Sequence, residues 1–388
     1  MPRGPRVWMR HEKLRLLALC GYPSDPRPTH QPFVRALLRA LAAQGAEPCV
    51  LAPESLWALE RAPRFELREG LPVHRPRFAS FSAVPLPGIR STRRFSDAAY
   101  RRAAVRASEG LGPFDVGFAH FLYPHGRAAA EIASRLCIPA VLSLGESSFR
   151  RYEVAYGVRE MAALLARFAA VVANSPVIEA QLVERFGVSR DRICVLPNGV
   201  DERHFFPRDR AEARRRLGLP PDRPILAFVG HLNERKGPLR VMQAIRARPE
   251  IGAVFLGRGP QEPEGPQVLF AGAVPHEEVP FWLSAADLFV LPTLDEGCSN
   301  ALLEALACGL PVVTSDRPFN RAVVDESMAL LVEPSDPDAL GAAIAALVER
   351  PSLRASLGAA ARAHAAAFRL ERRAARILAL LDGVVGTR

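Results

Sequence analysis

The stretch ADLFVLPTLDEGCSNALLEALACGLPVVTSD (286–316) contains one complete strand–helix–strand unit. Its segments LFVLP and PVVTS are short runs without alternating polar residues, which is typical of buried parallel strands. Between them, NALLEALACG predicts a helix that ends at Gly309. Two strands joined by a helix predict neighbouring parallel strands in an α/β sheet.

The same unit recurs along the chain and then restarts. A helix is predicted over 31–45, and strands of a first sheet are predicted at 14–20, 46–53, 114–120 and 138–145. A second series begins with PILAFVG (224–230). We therefore expect an α/β protein with two tandem doubly wound domains and a ligand cleft between the carboxyl ends of their strands.

The expected domain boundaries follow from this restart. They are a basic tail at 1–13, a first domain at 14–200, a second domain at 201–370, and a last helix at 371–388 that packs back on the first domain. The stretch 53–112 is rich in proline and arginine, and its pattern leaves the order of elements open.

The composition excludes a membrane-spanning protein. The 388 residues are 49% apolar and 24% charged, an ordinary globular balance. No apolar run reaches the ~18 residues of a membrane span, and the basic start is not followed by a signal-peptide core. Six scattered cysteines without zinc spacing favour reduced thiols in a cytoplasmic protein.

The basic residues are unevenly distributed. Residues 1–200 hold 28 Lys+Arg against 17 Asp+Glu, whereas the remainder holds 23 against 24. An anionic partner is therefore expected at the first half. Only Lys13 and Lys236 are lysines among 51 basic residues. Lys236 follows a predicted strand in GHLNERKGPLR, which makes it a candidate for a site that requires a compact ammonium group.

The loop EGCSN at the start of the 300–309 helix predicts a phosphate site, because several backbone N–H groups are exposed there. Gly297 permits close backbone approach to a ligand. Glu296 and Glu304, two turns apart, can both accept hydrogen bonds from the hydroxyl groups of one bound molecule. Taken alone, the pair is better explained by solvated or helix-capping glutamates.

Four segments together resemble one enzyme family: FVGHLNERKG, GRGP, AADLFVLPTLDEGCSNALLEALACGLPVVTSD and VLPNGVD. They are similar to the family 4 retaining glycosyltransferases (group 1), whose GT-B fold has two Rossmann-like domains facing across a cleft. The resemblance covers most of residues 170–350 and is looser in the first half, through FDVGFAH and IPAVLSL. It implies a hexosyltransferase that moves a sugar from a UDP- or GDP-sugar to an acceptor hydroxyl in polysaccharide or other glycoconjugate synthesis.

The resemblance also implies roles for individual residues. Glu296 would contact hydroxyls of the transferred sugar, Glu304 the ribose, and Lys236 the diphosphate leaving group. His120 would face the sugar across the cleft, although a lone histidine is ordinarily a core residue. Sugar and phosphate would lie against the backbone N–H groups of Gly297, Cys298, Ser299 and Asn300.

The chain departs from the family pattern at two places. His231 stands after Gly230 where the family usually has arginine, so Arg235 is the candidate for the second cationic contact. The Gly-Gly loop after the first strand is replaced by GYPSDPRPTHQ, in which Gly21 is still expected near the phosphate. These departures leave open a catalytically silent sugar-nucleotide-binding protein, and an epimerase of the same fold is a further alternative.

The mechanism implied by the resemblance requires no metal or other cofactor. A double displacement would need a second carboxylate below the anomeric carbon, and the sequence suggests none in the first domain. Departure of the nucleoside diphosphate with attack on the same face is expected instead. Asp336 and Asp338 in SDPDALGAA form a DxD motif, but it precedes a predicted helix and indicates an N-cap.

The acceptor is expected to be anionic or lipid-linked, because the basic half corresponds to the acceptor domain of the family. The run 88–110 contains Arg90, Arg93, Arg94, Arg101, Arg102 and Arg106. It is either a solvated helix face or a peripheral contact with the inner face of the membrane. A nucleic-acid partner is not expected, since this half lacks interleaved aromatic residues and a helix-turn-helix signal.

Overall fold

The protein is described by a computed structural model that covers residues 13–25, 31–58, 61–81, 92–146 and 148–386. The basic tail up to residue 12, the middle of the 21–31 loop and Arg90 of the arginine run lie outside these ranges.

The strands of the first half build one large sheet and a small ribbon. Their bounds are β1 (Leu14–Leu19), β2 (Ala46–Leu51), β3 (Glu54–Ser55), β4 (Phe65–Arg68), β5 (Leu71–His74), β6 (Arg77–Phe78), β7 (Val116–His120), β8 (Ala140–Leu144), β9 (Ala170–Ala173) and β10 (Ile193–Val195). The large sheet has the order β10-β9-β8-β7-β1-β2-β5-β4, and β3 pairs with β6. It is parallel except at its edge, where β4 runs antiparallel to β5. Strands β7 and β8 are buried at every position, as expected for central strands.

Helices cover both faces of this sheet. Their bounds are α1 (Pro32–Ala43), α2 (Arg93–Ser108), α3 (Arg127–Leu136), α4 (Arg150–Tyr156), α5 (Val158–Leu165) and α6 (Pro176–Phe186). A wide helical turn, Leu122–Gly126, leads from β7 into α3, and Phe121 before it has a φ of 71°. The stretch 53–112, whose order the sequence left open, thus supplies β3 to β6 and α2.

The second half forms a separate parallel sheet of six described strands. Their bounds are β11 (Ile225–Val229), β12 (Gly252–Leu256), β13 (Val268–Gly272), β14 (Leu288–Leu291), β15 (Val312–Ser315) and β16 (Ala329–Val332). The helices are α7 (Arg210–Leu217), α8 (Pro238–Ile245), α9 (Val279–Ala285), α10 (Asn300–Ala307), α11 (Pro318–Arg321), α12 (Pro337–Glu349), α13 (Pro351–Ala365) and α14 (Leu370–Gly386). None of the helices in the described ranges is long and apolar enough to cross a membrane.

Each sheet has a point where the strand order reverses, and both reversals matter for the site. In the order β13-β12-β11-β14-β15-β16 the reversal lies between β11 and β14, and in the first sheet it lies between β1 and β7. Ligands of open α/β sheets bind beyond the carboxyl ends of strands at such points. The loops after β11 and β14 carry Lys236 and Glu296, while those after β1 and β7 carry Gly21 and Phe121.

The chain crosses between the two domains twice. Val200 donates its N–H to the carbonyl of Phe368 (2.9 Å), and Leu370 donates to the carbonyl of Val200 (3.0 Å). Helix α14 then returns to the first domain, where Ala374, Ile377 and Leu381 share a core with α1. The predicted doubly wound, two-domain α/β fold is confirmed.

Candidate active site

The loop from β14 to α10 is fixed at its end by a helix cap. Ser299 stands at the N-cap, and its hydroxyl accepts the N–H of Leu302 at 3.4 Å. Asn198, which comes from the segment between the domains, donates its side-chain N–H to the carbonyl of Cys298 (3.0 Å). The Asn198 backbone N–H also points at the Cys298 sulfur (3.4 Å). The loop is therefore held from both sides before any ligand binds.

Gly297 is a point of close contact between the two domains within this loop. A Cβ at this position would lie 2.7 Å from the amide group of the Asn174 side chain and 2.8 Å from the carbonyl oxygen of Glu146. Any other residue would push the first domain away. The sequence predicted close approach to a ligand at Gly297, and in the structure it is the opposite domain that approaches.

Glu296 lies in a cluster with two cations. The Lys236 ammonium is bonded to Oε2 of Glu296, and Nη1 of Arg235 lies 3.3 Å from the same oxygen. Arg235 also donates to the carbonyl of Asp295 (2.6 Å). Burial favours the neutral carboxyl, yet both cations outweigh it and hold the pKa of Glu296 below its ordinary value. Glu296 is therefore ionised beside the two cations at neutral pH.

Glu304 faces a residue that the sequence did not suggest. Nε2 of His276 lies 3.1 Å from Oε1 of Glu304. Burial of the imidazole lowers the pKa of His276, but the Glu304 carboxylate raises it by more, so the pKa lies above its ordinary value. His276 comes from the loop after β13, and its carbonyl lies 3.3 Å from Nε2 of His204. The signal that could have found it is a histidine following a predicted strand, in AGAVPHEEVP.

The loops after β11 and β12 pack backbone against backbone. A Cβ at Gly257, in the GRGP segment, would overlap the carbonyl oxygen of Gly230. His231 is exposed next to this contact. Lys236 is largely buried, and its aliphatic chain lies along Gly230. The structure thus places Gly230, His231, Arg235 and Lys236 in the loop after β11, which contacts the loop from β14 to α10 (residues 292–299, the donor loop).

His120 ends β7, but its ring is enclosed rather than open to the cleft. Its side chain is 3% exposed and packs against Phe33, Phe118 and Phe121. Burial, with smaller contributions from Arg373 and His125, lowers the pKa of His120 to about 3. The ring is therefore neutral across the physiological range. Gly21 follows β1 and is buried.

Glu146 is a first-domain residue at the contact between the domains that the sequence analysis did not single out. It follows β8, is 2% exposed, and its carbonyl is the one that meets Gly297. Its oxygens accept the backbone N–H groups of Leu122 (2.7 Å) and Gly145 (3.0 Å). Burial raises the pKa of Glu146, partly offset by these hydrogen bonds. The carboxylate therefore holds the Phe121 turn in place.

The described ranges contain no group of three or more histidine, cysteine, aspartate or glutamate side chains arranged to hold a metal ion. The DxD motif has another use: Asp336 caps α12 by accepting the N–H groups of Asp338 and Ala339, both at 3.0 Å. Asn300 keeps its buried Oδ1 without a partner among the described residues. The positive groups of the site are thus Lys236, Arg235 and the N-terminus of α10.

Two facing doubly wound domains, with a cationic donor loop at the reversal point of the second sheet, define the GT-B glycosyltransferases. Residues 209–364 match the family model described as glycosyl transferases group 1, and residues 31–204 match that of glycosyltransferase family 4. The chain belongs to this family and is a glycosyltransferase. The resemblance found in the sequence is confirmed.

Similar proteins cover almost the whole chain. A Bacillus subtilis protein named as a teichuronic acid biosynthesis glycosyltransferase is 31% identical over 83% of this chain and 86% of its own length. A D-inositol 3-phosphate glycosyltransferase of Xylanimonas cellulosilytica is 31% identical over 97% of this chain and 96% of its own.

Solved structures show the same fold at lower identity. Sucrose-phosphate synthase of Thermosynechococcus elongatus superposes with a TM-score of 0.82 at 22% identity, covering 97% of this chain and 100% of that one. Anabaena HepE in complex with UDP-glucose gives a TM-score of 0.74 at 17% identity, covering 95% and 100%.

Proposed function

We propose that the protein transfers a hexose from a UDP- or GDP-sugar to an acceptor hydroxyl with retention of anomeric configuration. The observation that carries this proposal is the convergence of Lys236, Arg235 and Glu296 at the N-terminus of α10, opposite Glu146 of the first domain. A diphosphate in this position meets two cations and the positive end of a helix dipole.

The donor lies along α10, from the loop before the helix to Glu304 in its second turn. In this proposal Glu304 accepts a ribose hydroxyl, the backbone from Gly297 to Asn300 faces sugar and phosphate, and Glu296 accepts hydroxyls of the transferred hexose. The nucleotide-bound complex of Anabaena HepE, which contains UDP-glucose, supports a donor of this kind.

The positive groups stabilise the leaving diphosphate as its charge grows, which replaces the role of a metal ion. Lys236 is already held beside Glu296, so its ammonium is positioned before the donor arrives. When the diphosphate binds, Lys236 is shared between Glu296 and a phosphate oxygen. The exposed His231 supplies less charge than the family's arginine, and Arg235 takes that place.

Retention is what the resemblance to the family 4 enzymes implies, and the proposal assigns no carboxylate nucleophile to it. A double displacement needs a carboxylate nucleophile, and both oxygens of Glu146 are engaged by backbone N–H groups. We therefore propose attack on the face that the leaving group vacates. The acceptor hydroxyl then passes its proton to the departing diphosphate.

The acceptor in this proposal is anionic or lipid-linked, as part of polysaccharide or glycoconjugate synthesis. The names of two relatives support an anionic product or acceptor, teichuronic acid and inositol 3-phosphate. The arginine run offers less free charge than its sequence suggests, since Arg94 pairs with Glu160 and Arg101 with Glu131. Arg102 and Arg106 are exposed, and they are the positions for contact with an anionic membrane surface.

The donor proposal is tested by thermal melting against UDP-, GDP-, ADP- and TDP-sugars. A ligand at about 100 times its Kd stabilises the folded state by about 2.7 kcal/mol, which raises the melting temperature visibly. We expect a shift with one nucleotide class, lost in Lys236→Ala and Glu304→Ala and kept in Lys13→Ala, the other lysine of the chain. A wild-type protein that no donor stabilises would overturn the proposal.

A further inference from the structure

Arg373 is a buried arginine in the first turn of α14. It is 5% exposed, and no carboxylate of the described ranges forms an ion pair with it. Burial lowers the pKa of Arg373 to about 10, so the guanidinium is still charged at neutral pH. A cation in this place is unfavourable twice, because buried charges are ordinarily paired and the N-terminal end of a helix is itself positive. Such a residue is expected where function outweighs stability.

The guanidinium is anchored to the segment that joins the two domains. Its Nη1 donates hydrogen bonds to the carbonyls of Leu196 and Pro197. The same segment packs closely on the start of α14, since a Cβ at Gly199 would lie 2.9 Å from Cα of Leu370 and 3.4 Å from Cβ of Arg373. Carbonyl oxygens carry only partial charge. The two hydrogen bonds therefore satisfy N–H groups of the arginine without neutralising it.

The joining segment also contacts the donor loop. Asn198, the residue after Pro197, donates its side-chain N–H to the carbonyl of Cys298 (3.0 Å). Its backbone N–H lies 3.4 Å from the Cys298 sulfur. Pro197 thus accepts from the arginine while its neighbour donates to the donor loop. An unbroken chain of contacts therefore fixes Arg373 relative to the loop that carries Cys298.

The charge of Arg373 acts on residues of both domains at the cleft. Burial raises the pKa of the Cys298 thiol to about 11, and the Asn198 N–H and the Arg373 charge oppose this rise. On the first-domain side, the same charge adds to the burial that lowers the pKa of His120. A positive charge that favours thiolate over thiol and neutral over protonated imidazole also favours a bound anion. Because Arg373 is buried, water and salt screen this effect only weakly.

We propose that Arg373 is a positioning residue of the donor site, which holds segment 196–198 against the donor loop and favours the diphosphate through its buried charge. In this proposal it acts from behind the loop and does not touch the donor. Lys236 and Arg235 remain the cations that face the diphosphate directly. This inference rests on the proposed function, because it requires that a nucleoside diphosphate binds at the donor loop.

The test compares a nucleoside diphosphate with the matching monophosphate, since these two probes differ by one phosphate group. Calorimetry measures the Kd values of UDP and UMP, or of the pair with the base that the melting screen selects. The ratio of the two Kd values reports what the second phosphate adds. Arg373→Met removes the charge and keeps a side chain of similar length. We expect it to reduce this ratio about 10-fold, the effect of one nearby unit charge in a partly screened site.

Matched variants separate the charge of Arg373 from its shape. Arg373→Lys keeps the charge and should recover most of the ratio. Arg372→Met changes the exposed neighbour on α14 and should bind both probes as the wild type does. Asn198→Ala removes the contact with the donor loop without changing any charge. It should therefore weaken both probes several-fold by the same factor and leave the ratio unchanged.

Melting curves show which variants fold. If Arg373→Met does not fold, Arg373→Gln takes its place, because it is neutral and keeps an N–H donor for the two carbonyls. Failure of both neutral variants to fold would assign the arginine to the fold and overturn its role at the donor site. An unchanged ratio in a folded neutral variant would do the same, as would an equal loss in that variant and in Arg373→Lys.

Lys236→Ala, measured with the same probes, separates this inference from the proposed function. If UDP binding is lost in Lys236→Ala and the ratio is unchanged in Arg373→Met, the donor site stands and Arg373 has no part in it. A wild-type protein that binds no nucleoside diphosphate would overturn the proposed function and this inference together.

Discussion

Nε2 of His276 lies 3.1 Å from Oε1 of Glu304, which joins the loop after β13 to the helix that carries the donor site. The Glu304 carboxylate raises the pKa of the imidazole by more than burial lowers it, so this pKa lies above its ordinary value of 6.5. A raised folded-state pKa means that the folded protein binds this proton more tightly than the unfolded chain. The pair therefore stabilises the fold fully below pH 6.5 and less as pH rises through the folded-state pKa.

The first prediction is that His276→Gln removes part of the pH dependence of stability. Melting temperatures measured from about pH 6 to about pH 9 should fall less steeply in the variant than in the wild type. Glu304→Gln should flatten the same part of the curve, and the double variant should add nothing further, since both changes remove one interaction. Parallel curves for the wild type and His276→Gln would show that the pair does not titrate in this window.

The second prediction concerns Lys236. Lys236→Ala should lower kcat/KM for the donor about 10²–10³-fold, the usual effect of removing one group that stabilises developing charge. Lys236→Arg should recover only part of the activity, because a planar guanidinium does not present the compact charge of an ammonium group. Lys13→Ala, a change of an exposed lysine, serves as the control. Steady-state kinetics with unchanged activity in Lys236→Ala would remove Lys236 from the site.

The third prediction concerns the positioning role of Glu146. In Glu146→Gln one side-chain oxygen becomes an NH₂ group that faces a backbone N–H, which should destabilise the fold by about 1–3 kcal/mol. The Phe121 turn loses its support, so KM for the acceptor should rise more than KM for the donor. Glu184→Gln, on the exposed face of α6, is the matched control. An equal rise in both KM values would point to a general loss of structure instead.

The fourth prediction concerns contact between the domains. Gly297→Ala should destabilise the protein by about 1–3 kcal/mol through overpacking against Asn174 and Glu146. Adding Asn174→Ala should restore part of the loss, because it removes one of the two clashing groups. Gly383→Ala lies in α14 with nothing within 4 Å of the new Cβ and should be neutral or stabilising. Chemical denaturation compares all of these variants, and equal stability of Gly297→Ala and Gly383→Ala would contradict the packing argument.

The proximity of Lys236 and Glu296 could be predicted from the sequence. Both residues follow strands at the point where the strand order reverses, and the fold class alone brings such loops together. Lys236 and Glu296 are 60 positions apart, yet β11 and β14 are neighbours and their loops must meet. The DxD helix cap likewise depends only on local spacing. These features are predictable because they need no knowledge of side-chain packing.

Other parts of the site depend on packing that the pattern does not contain. Glu146 and His276 stand in polar loops after strands, and although that position makes them candidates, the sequence does not show which partners bury them. The enclosure of His120 depends on how Phe33 of α1 settles over β7. Such roles can be assigned only when the tertiary contacts are known.

The paired crossing at Val200 and Leu370 constrains how the two domains can move. One connecting segment would let the domains rotate about several axes. Two connecting segments that are hydrogen-bonded side by side favour rotation about one axis. We therefore expect any opening of the cleft to be a rotation that separates Gly297 from Asn174 rather than a sliding of one domain over the other. The last helix of the chain begins at this paired crossing and packs on the first domain, so it ties the two domains together a second time.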